Sequence, residues 1–212
     1  MVLMKLTRPA GGLMLLTALL GGCAANNQYN YAETDIELPI TGYGKLGLAV
    51  IDARPYVASG VKNADFVGLQ RGRYAYPFDV TTSTGAPLAQ DIQSALSNAL
   101  SSKGFEVIGF ELLSVSDELL AHAISASGAR RSLVLTIREW KTDALVNFGL
   151  HYDMELKVYD ESGRLLAEKS TAGHEKLGWA RRESRNSDAA TASLGYRLGL
   201  LISSPDIEAS LD

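Results

Sequence analysis

Cysteine is almost missing. One residue, Cys23, is all that 212 positions hold, so no internal disulfide framework and no cysteine-rich metal site can form. Histidine is nearly as scarce. His122, His151 and His174 are scattered, and no H-E-x-x-H spacing joins them, so no metal centre is expected. No stretch approaches the roughly 20 apolar residues that a membrane-crossing helix needs. A basic surplus is lacking too. The formal charge is −4, and contacts to a phosphate backbone need clustered Lys and Arg, so nucleic acid is excluded as a partner. There is no G-x-S-x-G, which leaves serine-hydrolase chemistry without support. Paired carboxylates could still meet in space as acid and base.

The amino-terminal stretch is what stands out. Lys5 and Arg8 make a short basic start, Gly11 to Leu20 is uncharged and largely apolar, and small residues follow. That is the layout of a secretory signal. It ends in Leu20-Gly21-Gly22-Cys23, which resembles the lipobox of bacterial lipoproteins. The resemblance implies cleavage between Gly22 and Cys23, a diacylglycerol on the Cys23 sulfur and an acyl chain on the new amino terminus. It also answers why the lone thiol sits there, because a free thiol is a liability in an oxidising compartment. Each buried methylene contributes roughly 0.8 kcal/mol, and several chains together hold firmly. Ala24 and Ala25 follow the cysteine, which resembles the outer-membrane pattern. The expected address is the periplasmic side of the outer membrane, with the bilayer as the first partner and no cofactor beyond the lipid.

Cleavage removes residues 1–22, including Lys5 and Arg8, and moves the formal charge to about −6. Some 190 residues remain, enough for one domain with its own core. Residues 23–39 read as the lipidated cysteine plus a polar tether. About 15 flexible residues span roughly 20 Å on average. From Ile36 to Ile40 packing on the domain is an equal alternative. The globular part is then residues 40–212.

Within it, Lys45 to Pro55 reads as a near-continuously apolar strand, as a central one covered on both faces would be, ended by Pro55. A long connection to Ala86 holds a hairpin around Arg71-Gly72, with alternation through Tyr74, Tyr76 and Phe78 fitting short edge strands. Leu88, Ile92, Ala95, Leu96, Ala99 and Leu100 mark a helix stopped at Gly104. A strand follows at Phe105–Phe110, so a β-α-β unit with a parallel pair is expected. Ser116 caps a second helix, and a strand ends near Trp140. Phe148, Leu150, Tyr152, Met154, Leu156 and Val158 alternate with Gly149, His151, Asp153, Glu155 and Lys157. This is an antiparallel strand with one wet face. Asp160 to Gly163 turns it back on a partner. Ala190, Leu194, Leu198 and Leu201 mark a last helix, whose Gly195 and Gly199 allow close packing against the sheet. The fold class is α+β: one domain, a mixed sheet and about three helices.

"GYGKLG" at residues 42–47 has the spacing of a dinucleotide-binding loop. It enters a strand rather than opening a helix, so phosphate binding is not expected. Two segments remain as surface candidates. One is Arg71, Arg73, Tyr74 and Tyr76, residue types enriched at binding hot spots. The other is Trp179 with Arg181, Arg182 and Arg185, suited to anionic headgroups or an acidic partner. The alternative for the second is a solvated loop with Trp179 folded inward.

"VIDARP", "REWKTD", "YDMELKVYDESG" and the stretch from Gly72 to Val107 together resemble the YajG-type family of bacterial lipoproteins. The resemblance implies an outer-membrane lipoprotein and transfers no catalytic residues. The expected function is therefore non-enzymatic: a lipid-anchored domain binding another envelope component, in particular a protein of the envelope. A carrier or sensor of a small lipid or glycan is the second reading, and a hydrolase the third.

Overall fold

In the computed structural model, residues 27–112, 117–180 and 183–211 are described. Eight strands form one sheet: β1 (Gln28–Tyr29), β2 (Gly44–Asp52), β3 (Phe66–Arg71), β4 (Pro77–Thr82), β5 (Phe105–Gly109), β6 (Arg131–Ala144), β7 (Asn147–Asp160) and β8 (Leu165–Trp179). Among the described residues five helices accompany them: α1 (Pro55–Ala58), α2 (Leu88–Ser102), α3 (Asp117–Ser127), α4 (Glu183–Ile202) and α5 (Pro205–Leu211). The mixed sheet and the α+β class are as expected. The additional helices, α1 and α5, are short and each begins at a proline. Proline's fixed φ suits a first helical turn, so the same residue that ends one element starts the next.

β2 lies between β5 and β6 and is parallel to both, which is the expected β-α-β geometry around α2. β6 is the longest shared edge. Its first half pairs with β2, its last residues pair with β3, and its other side pairs with β7. The β7–β8 antiparallel pair extends the sheet. Its turn forms because Asp160 accepts hydrogen bonds from the backbone N–H of Ser162 and Arg164. Leu46, Leu48, Leu133, Leu135, Ile137, Leu156 and Val158 face the main core, under α2 and α4. Ile51, Val134 and Tyr159 point the other way, under Leu120 and Ile124 of α3. The strand period of two thus sends one set of side chains to each face.

Two expectations are corrected here. Residues 27–39 are not a tether. Tyr29, Tyr31, Ile36 and Leu38 are buried in the main core, and Thr34, Ile36 and Leu38 alternate inward along an extended strap. The strap runs beside α4, so the close packing expected of Gly195 and Gly199 on the sheet is made on the strap instead. A Cβ on Gly195 would come within 2.1 Å of the Asp35 carbonyl oxygen, and one on Gly199 within 2.9 Å of that of Glu37. Four helical residues rise about 6.0 Å and two extended residues about 6.6 Å, so the glycine spacing matches alternate strap carbonyls. The second correction concerns residues 73–76. Arg73–Ala75 forms a 3-10 turn with Tyr74 and Ala75 left-handed (φ 62° and 61°), and strand resumes only at Pro77. Nor is β3 an edge, because β6 lies beside it, whereas β1 covers β4 only at Thr81 and Thr82 and leaves Pro77–Val80 at the edge.

Candidate functional site

The parallel strands and the chain reversals bring both candidate segments to one end of the sheet. β3 ends at Arg71 beside the end of β6, where Gln70 is in register with Ala144. β7 starts there, with Asn147 opposite Trp179, the last residue of β8. The Ala180 N–H donates to the Val146 carbonyl, and Asn186 of α4 donates to the Gln70 side chain. Segments that lie more than a hundred residues apart in sequence therefore flank a single turn, Leu145-Val146.

This end is apolar and exposed. Tyr74, Tyr76, Phe78, Leu145, Val146 and Trp179 are each 50–86% exposed. Trp179 is not folded inward. It stands at the strand end with the Lys176 ammonium 4.6 Å from its ring centre, a cation–π arrangement. Arg71 is engaged internally: its guanidinium meets Asp143 of β6 through two hydrogen bonds of 2.8 and 2.6 Å. It roots the hairpin tip rather than offering a free charge. Arg185 is exposed on the first turn of α4. Gly22, Cys23, Ser116, Arg181 and Arg182 lie outside the described residues, as does the side chain of Arg73.

Phe78, Leu145 and Val146 were not singled out from the sequence as site residues. A signal existed: a tight turn between strands favours Gly, Asn and Asp, and "DALVNF" puts two bare aliphatics there instead.

The structure also joins residues that the sequence scatters. His151 and His174 face each other across β7 and β8, with ring centroids 4.2 Å apart and nearly parallel. Burial, then the neighbouring His174 and Lys141, hold His151 below its usual value. Among the described residues no group of three His, Cys, Asp or Glu converges as metal ligands. Arg54, in "VIDARP", is fully buried. Its Nε and Nη2 bind Asp52 at 2.8 and 2.7 Å, and Nη1 and Nη2 reach the carbonyls of Phe66 (2.5 Å) and Ala64 (3.1 Å). These contacts hold the guanidinium in a structural role at the root of β3.

At the opposite end, a surface cleft of about 560 Å³ is lined by Tyr43, Lys45, Phe105, Arg130, Arg131 and Glu208 among others. Gly42 and Gly44 of "GYGKLG" lie on its rim, the motif entering β2 as expected, and Gly42 is pinned under the Phe105 ring. No described helix is long and apolar enough to cross a membrane.

No family model and no curated protein matches the sequence. Among solved structures, the chain is similar to a Xanthomonas campestris protein described as DUF330. The TM-score is 0.49 at 10% identity, covering 82% of this chain and 96% of that one. It is also similar to the PelC dodecamer from Paraburkholderia phytofirmans, with TM-score 0.41 at 16% identity, covering 79% and 93%. A third is lipoprotein GNA1162 from Neisseria meningitidis, with TM-score 0.31 at 10% identity, covering 75% and 99%.

Proposed function

We propose that this protein is a lipid-anchored, non-enzymatic binding domain of the bacterial envelope. It is held at Cys23 on the periplasmic face of the outer membrane and engages another envelope component through the aromatic end of its sheet. The observation that carries this reading is the convergence of Tyr74, Tyr76, Leu145, Val146 and Trp179 on one exposed end. Monomeric domains rarely leave so much apolar surface together without a use for it. The lipobox at Leu20–Cys23 and the resemblance to YajG-type lipoproteins support the address.

Photo-crosslinking side chains placed at Tyr76 and Trp179 in living cells test the reading. Specific adducts from both positions are expected, with none from an exposed position on the opposite end such as Tyr43. Equal labelling at all three, or none, defeats it. Palmitate labelling of the wild type beside Cys23→Ser tests the anchor separately. A carrier of a small anionic glycan or lipid is the second reading, favoured by the cleft flanked by Lys45, Arg130 and Arg131.

A further inference from the structure

We infer that the component met by the aromatic end is the bilayer surface itself, and that the domain stands on the membrane with this end down. The inference rests on Cys23 being the lipidated anchor. Three observations carry it: the shortness of the link, the direction in which the chain leaves the domain, and the chemistry of the end that faces that way.

The link is short because the strap is core. Asn27 is already seated, its carbonyl accepting from the Thr81 N–H at 3.0 Å. Only four residue steps separate it from Cys23, a reach of at most about 14 Å. β1 is parallel to β4, with Gln28 beside Thr81, so its amino-terminal end points toward Pro77 and the hairpin tip. Pro77 lies four strand residues from Thr81, roughly 13 Å. The acylated cysteine and the tip are therefore within one short leash of each other. The opposite end is not. β6 alone, from Ala144 at the aromatic end to Arg131 at the far end, is about 43 Å long, roughly three times the reach of the link.

The tip also has the composition of a membrane interface. Tyr and Trp concentrate at the headgroup level of bilayers, with an apolar body inside and a polar edge in water. Tyr74, Tyr76 and Trp179 offer three such rings around Phe78, Leu145 and Val146. Three nearby acids, Asp79, Asp143 and Glu175, are paired with Lys62, Arg71 and Arg197, and Asp188 is exposed one turn beyond Arg185 on α4. Lys176, over Trp179, and exposed Arg185 add cations where anionic headgroups would lie.

The test uses the full acylated protein in vesicles of phosphatidylethanolamine and phosphatidylglycerol. With Cys23 modified, a cysteine placed by Val146→Cys or Tyr43→Cys is the sole free thiol for a nitroxide. The ratio of oxygen to nickel-chelate collisions reports depth. Position 146 is expected to give a ratio several-fold above position 43, and Tyr74→Ser/Tyr76→Ser/Trp179→Ser should bring it down to that of position 43. Equal ratios in protein that carries radiolabelled palmitate overturn the inference and leave the anchor standing. Absence of the label removes the anchor and the inference together. Adducts from position 76 to one protein, with none to lipid, assign the end to a protein partner and likewise overturn it.

Discussion

The strap over α4 and the β3–β4 hairpin make an instructive pair. Both lie in sequence stretches that carry a Tyr-x-Tyr pair, Tyr29 and Tyr31 in one and Tyr74 and Tyr76 in the other. One is buried and the other ends in water. Tyr29 and Tyr31 of the strap are almost inaccessible, whereas Tyr74 and Tyr76 of the hairpin are among the most exposed side chains described. The difference lies in what each backbone meets. The strap finds a helix with glycines at the spacing of its own carbonyls, so it sinks close and its tyrosines meet core rings edge to face, Tyr29 with Phe148 and Tyr31 with Trp140. The hairpin is rooted by Arg54 and Arg71 and then runs past the last strand with nothing above it.

That contrast can be broken most severely at its two roots. Tyr31→Ala should cost about 3–5 kcal/mol, the range for removing a large aromatic from a core, read by urea unfolding. A change under 1 kcal/mol would mean the strap is not part of the core. Arg54→Ala should cost a similar 3–5 kcal/mol, because it strands the Asp52 carboxylate that Arg54 neutralises. It should also loosen the start of β3, seen as faster amide exchange at Phe66 and Val67.

A smaller effect sharpens the fit of strap to helix. Alanine is normally better than glycine inside a helix by roughly 1 kcal/mol. At Gly195 the clash with Asp35 should reverse that sign and cost about 1–3 kcal/mol. Stabilisation by Gly195→Ala would refute the close approach.

Asp91, beneath the hairpin at the start of α2, gives a pH-dependent contrast. Burial raises its carboxyl above 3.8, partly opposed by the Thr84 hydroxyl, which donates to it at 2.7 Å. The folded state therefore binds its proton more tightly than the unfolded state. The cost is absent below the unfolded value, near pH 4, and is fully present once pH exceeds the folded value. Asp91→Asn should stabilise modestly at pH 7, with the gain vanishing as pH falls through about 4. A gain that persists at pH 3 contradicts this origin. Smallest of all, Tyr74→Ser and Trp179→Ser should change stability by no more than about 0.5 kcal/mol, while removing crosslinks from this end. A large loss of stability would show the tip to be structural.

Much of the fold was legible because it follows from local rules. The run Leu46–Asp52, the three-and-four spacing of α2 and the strict alternation of β7 each carry their own period, and all three elements are where that period puts them. The hairpin was legible from Gly72 and its neighbours. The strap was legible only from Ile36 to Ile40, where alternation allows packing; its first half was not, since its partner, the glycine face of α4, lies about 160 positions away. The candidate site was half legible. Trp179, Tyr74 and Tyr76 were visible as residue types suited to contact, but nothing in the chain says that they share one end, or that Leu145 and Val146 complete it. The His151–His174 pair escaped for the same reason, because cross-strand neighbours are set by the register of a turn.

By itself, the sequence determined the class of the fold, the order of most elements and the uniqueness of Cys23, because helix and strand periods and a single thiol are properties of nearby residues. Only the tertiary structure decided that residues 27–39 pack into the core and that the exposed aromatic and aliphatic side chains share one end of the sheet. Those depend on where a distant helix leaves room for a backbone and on the strand pairing that gathers separate turns at one end. Neither close approach nor pairing is encoded within any one window of the chain.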